Sequence, residues 1–414
     1  MTLDPIRARR ELTPRRRLDI GALAVFCILF AGSLAVYLRE VRYEFVDFRV
    51  HTQIAGDFDF RDLHSITSRL AYPMWHLLVA ALYQLGMPLE WAAAGVSAAC
   101  KACTFLLVYE LITAMSGGQT KRWVVTLLST AVVMVTAIHI PSVSPFVYKG
   151  VGSPNVWHNP TQQAVTLAMM MVMPWLAHCW YELERALEAG ESRFLLPWWK
   201  VAVLAVLCMG SLACKPTFMQ ALLPAAFVMF LVELIRHRDQ WRYFGQIVLA
   251  FVPSAAYFLL QYLYYTGVVV EFTSGVEIGV TLEGAWSALR GTLMMSAAPL
   301  AAVLACWRKG LLKDRQIVLA LLMTAFSVLE AMAFHETGMR AGHGNFTWAA
   351  NSSSFYLWAV MCGVFLRCFA QDRRNGAMTP ARKAGYGACA LLFAWHVYSG
   401  AYYLYYLMTT NNAF

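Results

Sequence analysis

The chain has 414 residues, of which 59% are hydrophobic and only 14% charged, with a formal net charge of +9. Its mean hydropathy is +0.52, whereas an ordinary soluble domain carries about 25% charged residues. Long apolar runs divided by short basic ones exclude a soluble enzyme, a disordered chain and a collagen-like fibre, and predict an all-α, polytopic transmembrane helical bundle.

A spanning helix needs about 20 apolar residues. In chain order, candidate spans are 19–38, 72–87, 89–115, 123–140, 163–181, 199–214, 217–235, 244–265, 286–306, 316–334, 353–370 and 384–408. Residues 1–18 form a basic N-terminus with Arg7, Arg9, Arg10, Arg15, Arg16 and Arg17, which places that end in the cytoplasm. Residues 19–414 read as a single transmembrane domain without a cleaved leader. Most remaining Lys and Arg fall in short loops expected on the same side, so the charge reads as topogenic and no nucleic-acid partner is expected. The outer face then receives 39–71, 141–162, 266–285 and 335–352. Segment 72–115 is too long for one crossing and too short for three, so either its first part is a re-entrant half-helix or the Lys121/Arg122 signal misleads. The expected count is therefore about 10–12 spans.

None of the ten cysteines lies in a longer polar loop, which excludes a disulfide framework. Cys100-x-x-Cys103 sits within an apolar run and reads as core packing.

Function has to be built from the outer segments and the helix ends beneath them. In the first, Glu40, Glu44, Asp47 and His51 would share one helical face. A carboxylate there, with a neighbouring His, suits a general base, so Asp47, Glu44 and His51 are the catalytic candidates. Tyr72-Pro73-Met74-Trp75-His76 opens the next apolar run and reads chiefly as an interfacial anchor. The second outer segment contains Trp157-His158-Asn159-Pro160-Thr161-Gln162-Gln163. Asn159 and Pro160 can cap a following helix, Trp157 can stack on a sugar face, and His158 and Asn159 can hold polar ligand atoms.

Lys215 lies between two apolar spans with almost no loop. An ionisable residue so placed is a functional candidate, and its ammonium suits a phosphate group. The last outer segment carries His335, Glu336, Arg340, His343 and Asn345 as candidate substrate ligands, with Arg340 suited to bidentate anion binding. His335, Glu336 and His343 could alternatively hold a divalent metal, but their spacing matches no firm motif, and no cofactor is expected.

The order of these elements resembles the front half of the GT-C superfamily of integral-membrane glycosyltransferases. It is most similar to the protein-mannosyltransferase and aminoarabinose-transferase branch. The resemblance rests on the basic N-terminus and first span, the acidic outer loop, Tyr72-Pro73, the Leu-Ala-x-Lys-Pro element ending in Lys215-Pro216, and Leu223-Pro224. It covers residues 19–235, leaving 236–414 as further spans. Asp57-x-Asp59 comes later than the family's acidic pair, Lys215 is followed by Pro instead of the commoner Gly, and no C-terminal extracytoplasmic domain follows. The resemblance implies transfer of a sugar from a polyprenyl-phosphate donor to a lipid, glycan or protein acceptor at the extracytoplasmic face of a bacterial plasma membrane. Asp47 or Glu44 would be the catalytic acidic residue and Lys215 the lipid-phosphate ligand. A transporter or flippase of a lipid-linked or anionic substrate, and a polysaccharide polymerase or ligase, are the alternative readings.

Overall fold

The computed structural model describes residues 19–42, 47–62, 72–118, 120–143, 152–265, 275–338 and 344–410. It is a bundle of α-helices: α1 (Ile20–Glu40), α2 (Asp47–Gly56), α3 (Met74–Gln84), α4 (Leu89–Met115), α5 (Arg122–Val132), α6 (Pro160–Glu188), α7 (Trp198–Cys214), α8 (Thr217–Arg236), α9 (Trp241–Tyr265), α10 (Leu282–Cys306), α11 (Arg315–Ala333), α12 (Trp348–Arg374) and α13 (Pro380–Thr409). A short antiparallel pair, β1 (Val276–Ile278) with β2 (Phe334–Glu336), joins two of the connecting segments. Among the described residues, eight helical stretches are long and apolar enough to cross a membrane, and α5 and α7 are shorter apolar helices. The architecture is an all-α polytopic bundle.

The helix ends follow local chemistry. Asn159 accepts from the Gln162 amide, and Pro160, which has no N–H to satisfy, takes the first position of α6. Thr379 and Pro380 do the same for α13. Lys215 precedes Pro216, whose ring disfavours helical backbone in the residue before it. Lys215 is accordingly extended, at φ −175° and ψ 142°, and separates α7 from α8.

Two expected spans differ from the structure. Residues 72–87 give an 11-residue helix, α3, only about 16 Å long and too short for a bilayer core. The 27-residue α4 is long enough. Residues 123–140 do not form one helix either: α5 stops at Val132. The freed backbone beyond it is satisfied by protein. The Asn155 carboxamide donates to the Val132 and Val135 carbonyls at 2.7 and 2.9 Å. The Ile138 amide donates to Met294 O, the His139 amide to Ser399 Oγ, and Thr136 O lies 2.6 Å from His396 Nδ1. Irregular backbone at such depth is tolerated only where protein or a cavity meets it.

Helix α12 lies centrally. Its Asn351-Ser352-Ser353-Ser354 run is fully buried and bonds outward in three directions: Ser352 to Gln162 of α6, Ser353 to Ser327 of α11, and Ser354 to Ser296 of α10. Hydroxyls in an apolar interior need such partners. The run fixes the start of α12, and with it Trp348, one turn earlier.

Candidate active site

The site begins with α2. Phe48, Thr52 and Ala55 form its buried face, and Phe48 stacks on Tyr37 at 5.1 Å and meets the edge of Trp75 at 5.9 Å. This packing turns Asp47 toward the cap of α6. There Asn159 Nδ2 donates to Asp47 Oδ2 at 2.9 Å. The same carboxamide's Oδ1 accepts from the Gln162 amide at 3.0 Å, Thr161 Oγ1 at 2.8 Å and Lys215 Nζ at 3.3 Å. One buried side chain thereby links a carboxylate, a helix N-terminus and an ammonium.

Lys215 Nζ lies 3.7 Å from the centre of the Trp348 ring, a cation–π contact. His158 meets the same indole edge-on at 5.9 Å. His51, one turn after Asp47 on α2, places Nδ1 2.9 Å from Nε2 of His76. Beside Lys215, Thr217 Oγ1 donates to Gln162 Oε1 at 3.2 Å.

Burial sets the charges. It opposes ionisation of Asp47, but His158, the Asn159 hydrogen bond, His51 and Lys215 outweigh it and hold that carboxyl below its ordinary range. Burial pushes His51 and His158 down to about 4, with Asp47 opposing and Lys215 reinforcing the shift in each. It pushes Lys215 down to about 7, against the pull of Asp47. At neutral pH the site therefore offers an ionised carboxylate, two neutral imidazoles and an ammonium poised to lose its proton.

Lys215 lines an open cavity of about 780 Å³, its mouth included. Gln220, Gln261, Glu336 and Asn345 supply polar lining, and Tyr72, Phe258, Tyr262 and Phe346 supply aromatic walls. Glu336 accepts from both the backbone amide and the carboxamide of Asn345, at 3.1 and 2.7 Å. The Gln220 Oε1 atom is buried with no hydrogen-bond partner among the described residues.

Of the residues singled out in the sequence, Asp47, His51, His158, Asn159 and Lys215 converge, and Glu336 and Asn345 stand on the same cavity as Lys215. Trp157 does not face it. It is buried against Tyr37 at 5.5 Å and beneath the Lys101 ammonium at 4.4 Å. Its role here is to support the loop, and the sugar-stacking expectation finds no open face. His335 lies in β2, with Nε2 2.9 Å from Gly279 O, so it is engaged with the strand pair. Glu44, Arg340 and His343 lie outside the described residues. The expected continuous face from Glu40 to His51 is split instead, because α1 ends at Glu40 and α2 starts at Asp47; Glu40 is buried at the end of α1.

Sequence reading missed Lys101. It is buried within α4 and donates to Asn155 Oδ1 at 2.9 Å. The signal was present, since a charged residue inside a 27-residue apolar helix is costly and rarely idle. Trp348 and the serine run of α12 were also not assigned to the site.

No protein-family model matches the sequence, and no curated protein matches it.

Proposed function

We propose that the protein is a glycosyltransferase that moves a sugar from a polyprenyl-phosphate donor to a hydroxyl of a lipid, glycan or protein acceptor, as its resemblance to the GT-C superfamily implies. The observation that carries this reading is the Asp47–Asn159–Lys215 linkage at the edge of an open, aromatic-walled cavity. Such a transfer needs a base for the acceptor hydroxyl and a cation for the departing phosphate, both held in place beforehand.

Asp47 takes the proton of the acceptor hydroxyl as its oxygen attacks the anomeric carbon. The bond from that carbon to the donor's phosphate oxygen breaks, and the lipid phosphate leaves with the electron pair. Lys215 neutralises the phosphate charge. Asn159 is a positioning residue, since its two ends hold Asp47 and Lys215. Neutral His51 and His158 add hydrogen-bonding capacity without competing positive charge. Glu336 and Asn345 are placed to bond sugar hydroxyls, and the aromatic walls suit sugar faces and the first isoprene units.

A one-sided site also supports this reading over transport. The polar groups named above gather at one end of the bundle, and the second large cavity, which starts about 15 Å along α12 from Trp348, has no charged residue in its lining. The test is binding of an undecaprenyl-phosphate probe to protein in nanodiscs. Wild type is expected to bind it and Lys215→Ala to bind at least about tenfold more weakly, as loss of a charge-assisted contact implies. Equal binding by both proteins would remove Lys215 from the phosphate site.

A further inference from the structure

The second cavity has a different chemistry. It lies between α5, α10, α12 and α13, has an empty volume of about 750 Å³ with its open side included, and is lined by Val124, Leu128, Pro299, Trp358, Phe365 and Phe393 among others, without a charged side chain. Two features of the fold make it. Helix α5 is short, and α10 is kinked at Ser296, where φ is −126° and ψ is 17°. Pro299 has no N–H for the Met295 carbonyl, and Trp358 Nε1 donates to that carbonyl at 2.8 Å. The kink is thus stabilised by a side chain that forms part of the cavity wall.

The end of this groove remote from Lys215 is positively charged. Lys309 and Arg382 both bind the single buried carboxylate of Asp372, and Tyr386 donates to it at 2.9 Å. Two cations sharing one carboxylate leave a surplus positive charge. Tyr386 packs edge-on against Phe365 of the groove wall at 5.4 Å, which ties this cluster to the cavity. Lys121 is exposed at the N-cap of α5, three residues before Val124 of the groove wall.

We propose that this groove binds an anionic phospholipid, with an acyl chain in the apolar cavity and the phosphate at the Lys121, Lys309 and Arg382 end. The charge complementarity selects the occupant: an apolar slot would take any chain, but the surplus cations favour a phosphate bearing net negative charge. The groove is separate from the Lys215 site, so the proposal stands whatever reaction occurs there.

The test uses full-length protein reconstituted in nanodiscs of mixed phosphatidylcholine and phosphatidylglycerol, re-extracted in mild detergent, with retained lipid weighed by mass spectrometry of the intact complex. Wild type is expected to retain phosphatidylglycerol in preference to phosphatidylcholine. Ala390 lines the groove and is exposed, so Ala390→Trp should fill it without disturbing the core and lower retention by about tenfold or more, because the chain loses its buried methylenes. Lys121→Gln should keep the lipid but reduce the preference for phosphatidylglycerol by about fivefold. Equal retention of the two lipids, retention of neither, or undiminished retention by a folded Ala390→Trp protein would overturn the proposal.

Discussion

Asp47 and Lys215 are held at opposite ends of one carboxamide: Asn159 donates to the Asp47 carboxylate at 2.9 Å and accepts from the Lys215 ammonium at 3.3 Å. The two side chains come from segments far apart in sequence, and Asn159 is itself fixed because it caps α6. The spacing between that carboxylate and that ammonium is therefore set by a helix terminus, one of the more rigid devices a fold offers.

Asp47→Asn keeps the size of the side chain and removes the proposed base. Donor binding is expected to persist while turnover falls by about 10²–10⁴-fold, the usual loss when a positioned general base is removed. Steady-state rates with donor binding measured in parallel check this. A matched loss of binding and turnover would assign Asp47 to donor recognition instead.

The pH profile should report Lys215. Burial brings its proton affinity down to about 7, so kcat/KM is expected to fall as pH rises through that value. Asp47, held below its ordinary range, sets the acid limb. Lys215→Arg retains the cation across the whole range, and in that variant the alkaline fall should disappear even if the rate is lower. The same shift acts on stability. Between about pH 7 and the ordinary lysine value of 10.5 the unfolded chain binds more protons than the folded one, so this group's contribution to stability rises with pH across that window.

Much of this site is legible in the sequence because polar residues between apolar runs stand out. Asp47, His158, Asn159 and Lys215 each interrupt hydropathy. Lys101 is harder to see because one lysine barely alters the average of a 27-residue apolar helix. Trp157 reads as a free stacking platform because the cation that covers it is 56 positions earlier in the chain. The end of α5 is hidden for another reason. Residues 123–140 contain no Asp, Glu, Lys or Arg, and hydropathy reports transfer into lipid, not continuity of a helix. The break depends on Asn155, His396 and Ser399, which only the folded chain brings to it. The Asn351–Ser354 run is visible, but its three bonding directions are not.

The Lys101–Asn155 contact should behave as a buried pair. Asn155→Leu strands the Lys101 ammonium together with the Val132 and Val135 carbonyls, and a loss of about 3 kcal/mol or more is expected. Adding Lys101→Met to that variant should recover part of the loss. Melting temperatures of the two single variants and the double variant, combined as a cycle, give the coupling. Additive losses would show that the contact carries no coupling energy.

Gly400 and Gly387 lie on the same helix and should respond oppositely to alanine. A Cβ at Gly400 would stand 2.2 Å from the Met134 carbonyl oxygen, in the segment just past α5, whereas one at Gly387 meets nothing within 4 Å. Gly400→Ala is expected to cost about 1–3 kcal/mol through overpacking. Gly387→Ala should be neutral or stabilising by up to about 1 kcal/mol from helix propensity. Thermal unfolding in detergent distinguishes them, and equal melting of the two variants would contradict the close approach of α13 to Met134.

In the proposed reaction Asp47 and Lys215 act together in sugar transfer from a lipid phosphate. The most direct measurement incubates protein in nanodiscs with a panel of polyprenyl-phosphate and polyprenyl-diphosphate sugars, and follows released lipid phosphate by mass spectrometry. Release from at least one monophosphate donor is expected with wild type, and none above background with folded Asp47→Asn or Lys215→Ala. Release that neither substitution diminishes would contradict the site, and no release from any donor, with lipid-linked substrate crossing the vesicle membrane instead, would contradict the transferase reading.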